Sequence, residues 1–219
     1  MKRLWPLATL CAVAACASRP SEPVVATCAG SGPTAVLVIG DSWASMGALD
    51  RSGAAAVGAR FCSIGFRGRT SRQIADTIRT LPPTALAAAG APRTIILLAG
   101  VNDVMQHVGA DRYAAGMADL RAAARTISDD VRVVEIPWTT PTPRARTPLS
   151  WAKRLAHRLW NDQGRTDVTT RYRQAVRTDI DFDAFLPSYA GHEDRYVDGV
   201  HLTPAEHDRF GAYLGAAAR

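Results

Sequence analysis

Four short segments of this 219-residue chain carry the residue types that acyl transfer needs. Gly40-Asp41-Ser42 offers a hydroxyl behind an apolar run, and Gly65-Phe66-Arg67-Gly68 offers glycine amides. Gly100-Val101-Asn102-Asp103 offers a carboxamide, and Asp198-Gly199-Val200-His201 sets a carboxylate three residues before an imidazole. A serine hydroxyl is a weak nucleophile until an imidazole takes its proton and a third group orients that imidazole. Ser42 is the candidate nucleophile. His201 is the candidate base, and later the acid for the leaving alkoxide, with Asp198 fixing its tautomer. Negative charge then develops on the attacked carbonyl oxygen, where donors must already be aimed. The amides of Ser42 and Gly68 with the Asn102 side-chain NH2 form the candidate three-donor oxyanion hole; glycine at 68 leaves no Cβ to obstruct the substrate. Asp41 and Asp103 are read as braces for their loops. His107, His157, His192 and His207 lack such company and are read as surface or packing residues.

Segments this far apart meet only if the fold aligns their ends. Ala35 to Ile39 is a compact Val/Ile-rich run that predicts a strand buried on both faces. Further strands are expected at 59–64, 94–99, 131–136 and, more weakly, 180–186. Helical patterns cover about 43–57, 71–89, 111–127, 150–178 with a break near Gly164, and 204–218. This alternation predicts one α/β domain over 34–219: a three-layer α/β/α sandwich around a parallel sheet of about five strands. Ligands bind outside the carboxyl ends of such strands, where the candidate segments sit.

With these residues in place the sequence resembles the SGNH/GDSL hydrolase superfamily. Its blocks stand here as Gly40-Asp41-Ser42-Trp43, Ser63-Ile64-Gly65-Phe66-Arg67-Gly68-Arg69-Thr70, Gly100-Val101-Asn102-Asp103 and Asp198-Gly199-Val200-His201-Leu202-Thr203, within about residues 35–215. The resemblance implies a flavodoxin-like sheet and serine esterase or lipase chemistry without a cofactor. Trp43 stands where Leu or Ile is more usual, touching packing or substrate shape. Ser63 replaces a common Asn, which leaves Gly65 in competition with Gly68. By residue frequency Gly-Asp-Ser alone occurs in roughly 5% of such chains, but all blocks in order in fewer than about one in a thousand. The joint pattern, not any single block, carries the resemblance. The Ser42 context lacks Gly-x-Ser-x-Gly, which disfavours the α/β-hydrolase fold. No grouping has metal-ligand spacing and no phosphate loop follows the first strand, so neither metal nor cofactor is expected.

The composition, 47% hydrophobic and 21% charged, is that of a globular protein. The net charge of +6 raises nucleic acid as a partner, but no zinc, RRM or basic-zipper pattern accompanies it, and none is expected. Lys2 and Arg3 precede an apolar run, Leu4 to Ala15, too short to span a bilayer, so 1–15 reads as an export signal. Val13-Ala14-Ala15-Cys16 resembles the lipobox of bacterial lipoproteins, making Cys16 the expected lipidation site and 16–33 a flexible tether. Ala17 resembles the next residue of lipoproteins sent to the outer membrane, so a periplasm-facing membrane anchor is expected. Plain cleavage at Ala15-Cys16-Ala17, giving a soluble periplasmic or secreted protein, is the competing reading. Cys28 and Cys62 remain for one disulfide in an oxidising compartment; two unrelated buried thiols are the alternative.

The expected activity is hydrolysis of carboxylic esters through an acyl-enzyme on Ser42, by a monomer acting on small acyl groups of envelope carbohydrate. A lysophospholipase or thioesterase taking longer acyl chains, and a catalytically silent glycan-binding module, are the alternatives. Acyl transfer to a sugar would use the same residues. Substrate choice is read from Pro137 to Pro148, whose four prolines exclude a regular helix or central strand. Trp138 there offers a flat face to a sugar ring or acyl chain, and Arg144 and Arg146 offer partners for an anionic headgroup or uronate.

Overall fold

The computed structural model describes residues 26–139, 148–163 and 167–219. The expected signal, the lipidation site Cys16, Arg144 and Arg146 lie outside the described residues.

Strands β1 (Thr27–Ala29), β2 (Thr34–Gly40), β3 (Arg60–Gly65), β4 (Thr94–Leu98) and β5 (Asp130–Val133) form one sheet in the order β1-β3-β2-β4-β5. β2 to β5 run parallel, while β1 lies antiparallel on the outer edge of β3. Every residue of β2 and β4 is buried, as their unbroken apolar runs require of strands covered on both faces. Two helix pairs supply the covers: α1 (Leu49–Val57) packs with α8 (Pro204–Ala217), and α2 (Ser71–Thr80) with α5 (Ala110–Arg125). Between them run the short α3 (Pro83–Leu86) and α4 (Val101–Met105), then α6 (Pro148–Asn161) and α7 (Val168–Ala175).

Local chemistry sets the boundaries. Thr70 and Gln73 form a reciprocal capping box that starts α2, and Pro82-Pro83 ends it, splitting the helix expected over 71–89. The helix expected from residue 43 begins as a 3₁₀ turn, Ser42–Ser45, and restarts at Leu49. Thr203 accepts the Glu206 amide and Pro204 fills the first position of α8.

Two expectations are corrected. The strand expected over 180–186 amounts to one bridge, Val134 to Ile180. Beyond it Phe182 leaves the sheet for the core, where its ring packs edge-on against Trp43 and Phe210. The fifth strand is β1 instead, so the sheet is mostly parallel and the expected tether gives way to ordered chain before residue 33.

Cys28 lies opposite Cys62 in the β1–β3 register, and the two sulfurs are bonded. The bond spans 34 residues of sequence, so reduction is expected to cost roughly 3 to 4 kcal/mol in the chain-entropy account. Urea melts with and without reductant, alongside thiol labelling of the denatured protein, check this. A midpoint indifferent to reductant counts against a stabilising bridge.

Candidate active site

Register brings the functional segments together. Gly40 pairs with Gly65 on one side and Leu98 on the other, so β2, β3 and β4 end level and their following loops share one edge. Glycine is required at 40, because a Cβ would run into the Leu98 carbonyl. The chain then tightens into the 3₁₀ turn, capped by the buried Asp41 carboxyl accepting the Trp43 amide at 3.0 Å. Ser42, first in that turn, is half-buried with its hydroxyl toward the opposite loop.

That loop carries Asp198 and His201. Ser42 Oγ lies 2.9 Å from His201 Nε2, and His201 Nδ1 lies 2.8 Å from Asp198 Oδ2. The other Asp198 oxygen accepts the Val200 amide at 2.9 Å and the His201 amide at 2.7 Å. Partial burial works against the Asp198 charge, but hydrogen bonds from the His201 ring and these two amides outweigh it. They hold the carboxyl below its usual range. A Tyr196–Leu202 bridge closes the base of the loop.

The candidate donors face the same cleft, a cavity of about 1240 Å³ lined by Ser42, Gly68, Asn102, Asp198 and His201 among others. Gly68 has φ +73°, a left-handed conformation natural to glycine, and its carbonyl accepts from Gln106 Nε2 at 3.0 Å. Gly65 is packed away from the cleft, with the place of a Cβ taken by Ser45 and the Asp41 backbone. Of the two glycines left open by the sequence, Gly68 is the one that lines the cleft. Asn102 Nδ2 is shielded from solvent and has no hydrogen-bond partner among the described residues. Buried donors are nearly always paired, so an unpaired amide beside Ser42 calls for an explanation in chemistry.

A family model for GDSL-like lipases and acylhydrolases matches residues 29–209. The chain belongs to this family. As a GDSL-family hydrolase it acts on ester bonds, and its solved structural neighbours share its fold. A protein from Streptococcus pneumonia described as a platelet activating factor superposes with TM-score 0.56 at 18% identity, covering 86% of this chain and 85% of that one. An acetylxylan esterase from Geobacillus stearothermophilus superposes with TM-score 0.51 at 18% identity, covering 86% and 95%. A lipolytic protein of the G-D-S-L family from Desulfitobacterium hafniense DCB-2 does so with TM-score 0.51 at 14%, covering 84% and 99%. At such identities the likeness is one of fold. No curated protein sequence matched the chain.

The sequence offered Trp138 as a substrate contact of this GDSL hydrolase. Trp138 is not among the cleft-lining residues; its Nε1 donates to Asp183 at 2.6 Å and the Arg173 guanidinium lies 3.9 Å from its ring centroid. Ring and N–H both have partners within the protein, and the Trp138 carbonyl accepts from the cleft-lining Tyr196. The cleft instead draws on Met46, Arg67, Met105, Tyr189, Tyr196 and Val197, none singled out by the sequence. The one available signal was the pair of tyrosines flanking the approach to Asp198. Among the described residues, Glu135, Asp181 and Asp183 form the one group able to hold a metal. None lines the cleft, and Arg173 pairs with both Glu135 and Asp183.

Trp43, unusual after the nucleophile, is a core residue: fully buried and packed against Phe182, His207 and Phe210. Ser63 faces β1, with its hydroxyl 3.2 Å from that of Thr27.

The family aspartates brace the site at an electrostatic cost. Asp103 accepts both the amide and the hydroxyl of Ser71 at 2.8 Å, yet burial pushes its pKa to about 6. Burial, with the Asp103 charge adding to it, pushes Asp41 to about 7 despite the Trp43 amide. A raised carboxyl contributes stability that is full below its unfolded pKa and is lost as pH rises through its folded pKa, here from 3.8 to about 7 for Asp41. His207, kept neutral by burial and lowered from 6.5 to about 4, works in the opposite sense below pH 6.5. Above about 6.5 the His207 effect fades while Asp41, and to a smaller extent Asp103, is still losing its proton. The melting temperature is expected to fall as pH rises from about 6.5 to 8, and Asp41→Asn should flatten that slope. An equal slope in the variant would assign the effect to another group.

Proposed function

We propose that this GDSL-family hydrolase cleaves carboxylic esters through an acyl-enzyme on Ser42. The observation that carries the reading is the continuous Asp198–His201–Ser42 hydrogen-bond line beside the unpartnered Asn102 amide. Ser42 Oγ attacks the ester carbonyl carbon as His201 Nε2 takes its proton. The oxyanion is met by the amides of Ser42 and Gly68 and by Asn102 Nδ2. The C–O bond to the alcohol breaks as His201 returns the proton to the leaving alkoxide. Water, deprotonated by His201, then attacks the acyl-enzyme, releasing the carboxylic acid and restoring Ser42. Asp198 stays ionised throughout and holds the imidazole in its tautomer.

The substrate class we assign is a small acyl group on an envelope carbohydrate, reached by an exported chain lipidated at Cys16. Tyr189 supports it: this half-buried ring in the cleft lining is a flat face of the kind sugars stack on, backed by the buried Tyr196 with ring centroids 4.9 Å apart and flanked by Arg67, Gln106 and Glu193. The acetylxylan esterase among the fold neighbours has a name of the same class. A second reading, longer acyl chains, draws on Met46, Val101, Met105, Val197 and Val200 in the same lining.

Hydrolysis of p-nitrophenyl esters from acetyl to palmitoyl tests both. Turnover is expected to peak at the shortest acyl groups. A maximum at the long chains would move the substrate to lipids, and absence of turnover across the series would favour a silent glycan-binding module.

A further inference from the structure

Helix α6 is amphipathic but turned inside out. Its polar side holds the body: His157 Nδ1 donates to the Gln106 carbonyl at 3.2 Å and Asn161 Nδ2 to the His107 carbonyl at 2.7 Å. Asp162, just past the helix, pairs with His107 Nδ1 at 2.6 Å and is buried. The opposite side is apolar and faces solvent, with Leu149 79%, Trp151 60%, Leu159 60% and Trp160 87% exposed and Leu155 at the margin. Trp151, Leu155 and Leu159, four residues apart, fall in one row, and Leu149 and Trp160 extend it to about half the helix circumference. Apart from Val197 in the cleft lining, these are the exposed large hydrophobic side chains among the described residues. A surface helix ordinarily turns such a face to the core, and a solvent-facing patch of this kind marks an interaction site.

The sequence of α6 indicates what covers it. The helix contains Lys153, Arg154 and Arg158 and no Asp or Glu, within a chain of net charge +6. Tryptophan and leucine on one face, with cations and no acids elsewhere, is the composition that binds the boundary of an anionic bilayer. A second copy would bring the same cationic helix and chain charge to the contact, so self-docking is opposed by like charge. No helix among the described residues is long and apolar enough to cross a membrane, which leaves contact in the plane of the surface.

We propose that α6 is a peripheral docking helix, its Leu/Trp face seated among lipid headgroups and acyl chain ends of an anionic membrane. Its anchor residue Gln106 also lines the cleft, so docking sets the ester site beside the lipid surface. The inference concerns this surface alone and stands apart from the role given to Ser42.

Co-sedimentation of the full chain with vesicles of equimolar phosphatidylcholine and phosphatidylglycerol tests it. Binding is expected to exceed that to phosphatidylcholine alone and to fall as salt rises. Combined Leu155→Ser, Leu159→Ser and Trp160→Ser should weaken it by at least about tenfold, while p-nitrophenyl acetate turnover and far-ultraviolet dichroism hold. Both chains share one N-terminus, so the difference belongs to the helix. As a check that leaves folding untouched, lipids brominated in their acyl chains should quench wild-type tryptophan emission, and Trp160→Phe should remove part of that quenching. Equal vesicle binding by wild type and triple variant, or quenching unchanged in Trp160→Phe, overturns the proposal. So does a wild-type dimer in sedimentation velocity that the triple substitution dissolves, since the face would then belong to a second copy.

Discussion

Ser42→Ala is expected to lower kcat for an activated ester by roughly 10⁴ to 10⁶, and His201→Ala by about as much. The two side chains act as one unit: without the imidazole the hydroxyl keeps its proton, and without the hydroxyl the imidazole has nothing to activate. The double variant should therefore be hardly worse than either single one. Asp198→Ala should cost less than either, because it orients His201 and takes no bond to the substrate. Neither Ser42 nor His201 belongs to the hydrophobic core, so urea midpoints should stay within about 1 kcal/mol of wild type. A Ser42→Ala enzyme retaining a substantial share of wild-type turnover, confirmed free of contaminating esterase, would end the acyl-enzyme account.

Asn102→Ala is expected to lower kcat by roughly 10² to 10³ with KM little changed, the usual loss for one oxyanion donor. The effect falls on kcat because the amide gains its full partner only when the carbonyl oxygen becomes an oxyanion. Stability should move the other way or not at all: the Asn102 amide is buried without a partner, and its removal relieves an unsatisfied donor. Falling activity with a level or rising melting temperature is the signature of a group kept for reaction. Loss of both together, or a kcat change below about threefold, would make Asn102 a structural residue instead.

The candidate site segments were legible because each joins a sharp chemical requirement to a sharp local one. Ser42 follows a fully apolar strand, Asn102 follows another, and Asp198 and His201 lie on one short loop. Strands β2, β3 and β4 announced themselves as apolar runs. β1 did not: Thr27-Cys28-Ala29 sits among glycine and serine, and it is a strand only through its pairing with β3 and the Cys28–Cys62 bond. Ile180 to Leu186 had the composition of a strand, but Phe182 is committed to the aromatic cluster around Trp43, a tertiary choice that no local pattern displays. The contacts of Trp138 are of the same long-range kind. Its partners Arg173 and Asp183 are 35 and 45 residues away, and nothing near Trp138 in sequence reveals that they claim both ring and N–H. The cleft walls were silent because residues such as Arg67 and Tyr189 shape a pocket without needing any fixed spacing.

The hydrogen bond between Ser42 and His201 joins positions 159 residues apart, whereas Asp198 and His201 meet across three. The proposed orienting acid and base thus form one local cassette, and the proposed nucleophile stands on a turn far from it in sequence. A chain cut before residue 201 would hold Ser42 and lack the imidazole that faces it. Ester cleavage thereby becomes a reporter of one long-range contact, formed only when the β2 edge and the distant acid–base loop have come together.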